Sequence, residues 1–336
     1  MTNRRNTARS FRGISRRTAL AISCAAAVSA LAPAAASADM PLGYSIGAAL
    51  PAGAGVDALA LQSNGALWAM NEATDTPSLY ASVALNSLGS PPLVPNIEGA
   101  AFSKDNKTAW VISSSRNYVA VVNLATYAVA PKKITVGSEP VAIRASLDGK
   151  TLYTANSGAA SISVIDIQSS RVTATIPVGK MPYDIALSPN GKTLYAANYL
   201  DGTLSVIDTT KKAVAATIAV GRGPYSVVPL ANGKAVYVAN ERSGSVSVIN
   251  PLKNNVIATI AVGAAPQRIA AASNSLRVYV PNSAGRSISV IDTALNQVSV
   301  TADLDEQPAA LLVMPNNRTV WIANREARTI APLTVP

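Results

Sequence analysis

The sequence predicts an all-β fold, a seven-bladed β-propeller of four-stranded antiparallel blades, on three observations. The first is a repeat. The 336-residue chain matches itself at a period of 42 residues, with units opening at Ala66, Thr108, Thr151, Thr193, Ala235, Arg277 and Thr319. The second is the content of each unit: four short runs of strand length, alternating in polarity and separated by Gly, Asn, Asp or Ser. Four such strands per roughly 40–50 residues is the spacing of propeller blades. The third is that the two ends are complementary. The last unit stops after its second run, "RTIAPLTV", while the segment from Gly43 supplies "GYSIGAAL" and then "GVDALALQSNG", which match the two missing runs.

Each run has its own logic. With strands labelled A to D outward from the axis, strand B is the run that opens the unit, as in "TLYTAN" and "AVYVAN". Strand C is "SISVID" or "SVSVIN", and its closing Asp166, Asp208, Asp292, Asn123 or Asn250 suits a turn cap. Strand D is "VTATIPVG" or "VIATIAVG". Gly137, Gly179, Gly221 and Gly263 follow it, each three residues before a proline or its equivalent, and set the crossing to strand A of the next blade. Asp305 stands where that glycine is expected in the last crossing. Strand A follows, as in "PYDIALSPNGK", and ends in a tight turn. Blade seven then takes A, B and C from 308–334 and its outer strand from 43–50. This pairing of the chain's ends closes the ring and removes free sheet edges.

Residues 1–38 read as an export signal. Arg4, Arg5, Arg9, Arg12, Arg16 and Arg17 form a basic region without acids, an Ala-rich apolar stretch follows, and Ala36-Ser37-Ala38 fits a small-x-small cleavage site. Ser15-Arg16-Arg17-Thr18-Ala19-Leu20 resembles a twin-arginine signal with Ala19 in place of the usual Phe, which leaves the general export route open. A membrane anchor would need about 20 strongly apolar residues, and this stretch is interrupted by Pro33. The expected mature domain, 39–336, is periplasmic or secreted. The only cysteine, Cys24, lies within the signal, where Ala21-Ile22-Ser23 is a poor lipid-attachment box. The mature domain therefore has no disulfide. Removing six arginines also lowers the net charge from +10 to +4, so the basic pI carries little argument for a polyanion partner.

Tyr153-Thr154-Ala155-Asn156, Tyr195-Ala196-Ala197-Asn198 and Tyr237-Val238-Ala239-Asn240, each followed by "SVID"-like and "ATIPVG"-like runs, resemble the YVTN-repeat β-propeller family over 43–336. The resemblance implies an exported or surface protein. Haem-binding propellers, quinoprotein subunits and seven-bladed lactonases share the architecture, so the fold alone does not select an activity. The chain has no histidine. A Ser-His-Asp triad, a histidine base, His-ligated zinc and His-bound haem are thereby excluded.

The regular features read as scaffold. Asn71, Asn156, Asn198, Asn240, Asn282 and Asn324, with Ser113 substituting once, end strand B and suit turns closed through nearby backbone. Lys107, Lys150, Lys192, Lys234, Arg277 and Arg318 follow the A–B turns and read as solvated positions. Function is expected where the repeats differ, on the face shared by B–C loops and D–A crossings. If Ile185 and Leu187 pack between blades, Asp184, Ala186 and Ser188 face the axis, and the same register brings Asp57, Arg144, Ser226 and Arg268 toward it. Asp57, Arg144, Asp184, Arg268, Lys180 and Arg222 are thus candidate ligand-binding residues at the channel mouth, for a small anion, a sugar or a metal ion. The bland alternative is a water-filled channel with internal ion pairs.

Arg116, Tyr199, Arg242, Arg286 and Arg325 are the candidate partner face. Tyr183 and Tyr225 are expected to pack between blades. No catalytic residue or cofactor is assigned, and a monomer is expected. The leading reading is a non-catalytic binding or scaffolding module for a protein or cell-envelope partner. The first alternative is a Ca²⁺-assisted lactonase-like hydrolase, for which Asp57, Glu98 and Asp184 are the available carboxylates. The second is weak binding of a polyanion or single-stranded nucleic acid on a patchily basic face.

Overall fold

The computed structural model describes residues 40–336, so the expected export signal lies outside the described residues. Seven antiparallel sheets make up the fold, six of them built from four successive runs of the repeat and the seventh from both ends of the chain. Blade four is representative: A is Pro182–Leu187, B Thr193–Asn198, C Thr203–Asp208 and D Ala213–Ala219. The A–B turn needs left-handed backbone at Gly191 (φ +70°), which only glycine adopts without cost. At the far end of strand C, Asp208 Oδ1 accepts the N–H groups of Thr210 and Lys211, the cap expected there.

Blade seven closes as expected. Its strands Pro308–Val313, Thr319–Asn324 and Thr329–Thr334 are joined on the outside by Ser45–Ile46 and Leu50–Pro51, both paired with Thr329–Thr334. The outer strand is therefore in two pieces. Between them Gly47 donates its N–H to the Pro332 carbonyl at 2.8 Å. The Tyr80 hydroxyl of blade one donates to the Pro51 carbonyl and ties the closure to the next blade.

The core is divided among the seams between blades. Seven apolar clusters occur, one for each pair of neighbours, including blade seven against blade one through Ala310, Trp321, Val56 and Leu67. This corrects one expectation. Blade sheets stand with their faces toward neighbouring blades, so alternate residues of strand A enter alternate seams rather than alternating between seam and axis. Ile185 and Leu187 pack between blades three and four as expected, but Ala186 packs between blades four and five. Ser188 turns away altogether and caps the A–B turn, donating to Asn190 Oδ1 and accepting from Thr193 N.

The strand-B asparagines are scaffold; Asn71 donates to the nearby Thr76 carbonyl as expected, while others find side-chain partners instead. Nδ2 of Asn240 donates to Ser245 Oγ and Ser247 Oγ, hydroxyls of the next strand, and Asn156, Asn198 and Asn282 repeat the pattern. The crossing glycines pack onto these amides. A Cβ on Gly137, Gly179, Gly221 or Gly263 would lie 2.6–2.7 Å from the asparagine. Space rather than positive φ thus demands glycine here. In blade two, Ser113 replaces the asparagine, and the crossing accommodates Val94 in the equivalent position, buried in the adjoining seam.

Candidate functional site

The central channel acquires its individuality from a bulge. Near the start of strand A the pairing with strand B slips by one residue, between Pro182 and Asp184 in blade four and at the corresponding positions in blades one, two, three, five and seven. A bulge turns two consecutive side chains toward the same side. The extra positions are Asp57, Glu98, Val141, Tyr183, Tyr225 and Ala309; the residues after them are Ala58, Gly99, Ala142, Asp184, Ser226 and Ala310. Asp57 is the counterpart of Tyr183 and not of Asp184, because the A–B turn of blade one is one residue shorter than that of blade four. That is a correction to the register read from sequence.

Asp184 is fully committed. Its Oδ1 accepts from Arg144 Nη2 at 3.0 Å and from Ile185 N, and its Oδ2 accepts from Ser226 Oγ and Val227 N. It pins blades three, four and five together as a buried, hydrogen-bonded charge. Asp57, also buried, pairs with Arg325 of the last B–C loop. Arg325 Nε donates to Oδ1 at 3.1 Å, Nη2 reaches Oδ2, and Glu72 lies 3.6 Å from that nitrogen. Arg325 thus belongs to the channel mouth as much as to the outer face.

Glu98 and Arg268 are left without such partners. Burial, then the nearby Glu72 and Asp57 charges, push the Glu98 carboxyl up to about 7, with Arg268 and Ser114 acting in the opposite direction. Arg268 lines a cavity of about 100 Å³ with Glu98, Asp184 and Ser226. Its Nε and Nη2 are buried with no hydrogen-bond partner among the described residues. Near it lies an aromatic group of Tyr183 and Tyr225, expected to pack between blades, and Tyr199 of the expected partner face. Tyr183 and Tyr225 stack with ring centroids 4.6 Å apart, Tyr199 stands 5.6 Å from Tyr183, and Arg268 lies 6.0 Å from the Tyr225 ring. Buried Tyr225 of blade five thus meets Tyr183 of blade four across their seam, as expected, while Tyr183 also reaches the loop face. Tyr183 and Glu98 line a second recess of about 320 Å³ on the loop face.

The rest of that face is a set of local pairs rather than a basic patch. Tyr199 donates to Glu241, Arg242 Nε donates to Tyr199 Oη and its guanidinium covers the ring at 4.8 Å, and Gln267 reaches Glu241. Arg286 donates to the Asp305 carbonyl. Lys180, Arg222 and Arg116 are exposed; the backbone N–H groups of Lys180 and Arg222 donate to Asp201 and Ser243, and their carbonyls accept from Leu200 and Arg242.

The carboxylates do not fit a calcium ion. Asp184 and Asp57 already spend their oxygens on arginines and backbone, Glu98 is held toward its neutral form, and no group of three or more acidic, His or Cys side chains among the described residues is placed to hold a metal.

Comparison with known proteins bears on the same architecture. The family model "Lactonase, 7-bladed beta-propeller" matches residues 100–215, short of half the chain. Among solved structures, a chain of Kuenenia stuttgartiensis hydrazine synthase superposes with a TM-score of 0.77 at 18% identity, over 84% of this chain and 96% of that one. At that identity the likeness is one of fold. Comparison with curated proteins finds no match. Among the described residues no helix is long and apolar enough to cross a membrane.

Proposed function

We propose that the chain is a non-catalytic binding module that presents the B–C/D–A face of its propeller, with the channel mouth at its centre, to a protein or envelope partner outside the cytoplasm. One observation carries this reading: departures from the repeat concentrate at that mouth, where Glu98, Arg268 and the Tyr183–Tyr199–Tyr225 group sit on an otherwise uniform ring. Rigid blades holding unlike side chains around one opening suit recognition. A pull-down from envelope extract tests it, comparing the native chain with an Arg222→Glu, Arg242→Glu, Arg325→Glu variant. A partner retained by the native chain and lost by the variant is expected. Recovery of nothing, or of the same proteins by both, removes the reading.

A second reading is favoured by the partial lactonase match and by Glu98, whose carboxyl titrates near neutrality as a general base would. It is a metal-independent hydrolase of small esters or lactones. Turnover of a lactone panel that disappears in Glu98→Gln would establish it; absence of turnover across the panel removes it.

A further inference from the structure

One group at this mouth has hydrogen-bonding capacity that the protein does not use, and the inference from it rests on the binding reading above. Arg268 reaches the channel from blade six, where regular strand A pairing is reduced to Ala270–Ala271. Its Nε and Nη2 are both buried and both without a partner among the described residues. These two N–H groups lie on one edge of the guanidinium and point the same way, the spacing that the two oxygens of a carboxylate match. The neighbouring acids do not supply those oxygens. Asp184 is held by Arg144 and Ser226, Asp57 by Arg325, and no carboxylate among the described residues lies within ion-pair distance of Arg268. Buried charged donors left unpaired are costly, and a ligand that pairs them relieves the cost. Across the cavity Ala58, Gly99, Ala142 and Ala310 leave room for one.

We propose that the channel is a carboxylate receptor, in which the Arg268 guanidinium turns its Nε–Nη2 edge, closed off in this structure, into the cavity it lines and binds both oxygens of one carboxylate, with the rest of the ligand beside Glu98. Glu98 and Val141 line both the cavity and the recess, so the two adjoin. The carboxylate belongs either to a small free acid or to the C-terminus of a peptide. Glu98 is surrounded by Glu72, Asp57, Glu139, Tyr183 and Arg268, and its carboxyl, pushed up to about 7, is neutral enough in mildly acid solution not to repel the ligand. Affinity accordingly falls as pH rises through that value.

The test is calorimetric titration of the full chain with acetate, with a tetra-alanine peptide bearing a free C-terminus, and with the same peptide as its C-terminal amide. Arg268→Met and Arg268→Lys are titrated in parallel, with folding checked by far-ultraviolet circular dichroism. Saturable binding of acetate or of the free-carboxylate peptide is expected, without binding of the amide. Arg268→Lys, which keeps charge but loses the two-point edge, should weaken it by about tenfold or more, and Arg268→Met more. Acetate at least as tight as the peptide identifies a small acid; a tighter peptide identifies a chain terminus. No saturable heat from either, equal binding of the amide, or unchanged affinity in folded Arg268→Lys overturns the proposal. A partner captured in the pull-down without carboxylate binding removes this inference alone. Carboxylate binding without a captured partner leaves it standing and removes the partner reading.

Discussion

Gly221 and Asn240 are packed so closely that a Cβ on the glycine would lie 2.6 Å from the asparagine Cγ. The same contact recurs at Gly137–Asn156, Gly179–Asn198 and Gly263–Asn282, and it fastens each crossing to the blade that follows. Gly221→Ala should therefore destabilise the propeller by about 1–3 kcal/mol through overpacking. Adding Asn240→Ser should recover part of that loss, since blade two already carries the Val94 and Ser113 combination. Denaturant midpoints of the three proteins check this; an unchanged midpoint for Gly221→Ala would show the glycine to be dispensable.

Asp184→Ala removes the acceptor of Arg144, Ser226 and two backbone N–H groups at once. Stranded buried donors cost roughly 1–3 kcal/mol each, tempered here because Arg144 is partly exposed and can turn to water. A net loss of about 3 kcal/mol is expected in urea unfolding. A loss well under 1 kcal/mol would mean that the three blades do not depend on this carboxylate.

Glu98 gives a pH signature of definite sign. Its folded pKa is raised from 4.5 to about 7, so the folded chain binds the proton more tightly than the unfolded chain. Its stabilising contribution is fully present below the unfolded value and is lost as pH rises through about 7. Stability measured from pH 4.5 to 7.5 should fall more steeply for the native chain than for Glu98→Gln, in which this dependence is gone. Parallel profiles would place the Glu98 carboxyl in its ordinary range.

Removing residues 40–51 should open the ring. Thr329–Thr334 would lose its outer partners, and the seam between blades six and seven would lose Tyr44. An exposed strand edge recruits other chains, so the shortened protein is expected to elute as aggregate in size-exclusion chromatography. A monodisperse monomer with native circular dichroism would show the closure to be ornamental.

The architecture was legible because every blade repeats the same demand. Tyr195, Asn198 and Asp208 recur with their spacing intact, and each copy reinforces the reading of the others. Even the last blade, assembled from both ends, followed from matching "GYSIGAAL" to the missing run. The site was less legible for the same reason. Alternation in strand A gives no sign of the bulge that leaves Tyr183 unpaired, and the shorter A–B turn of blade one, which sets Asp57 level with Tyr183, is masked there by the matching Asp and Leu residues. Arg144 with Asp184 was within reach of the pattern, because both were assigned to the channel. The Asp57–Arg325 pair was not, since it joins strand A of blade one to the B–C loop of blade seven. Glu98 stood out in sequence only as one acid among several; its displaced titration comes from burial and from two other acids that folding brings close.

The outer strand of blade seven has a temporal meaning as well as a spatial one. Ser45 pairs with Thr334, so the first part of the ring to be synthesised waits for the last before it has a partner. Contacts so distant along the chain form slowly. Blades one to six can form from contiguous sequence as it emerges, whereas the seam that makes them a circle can form only once residues 308–334 have followed. Closure of the ring is therefore a late event in the making of the fold.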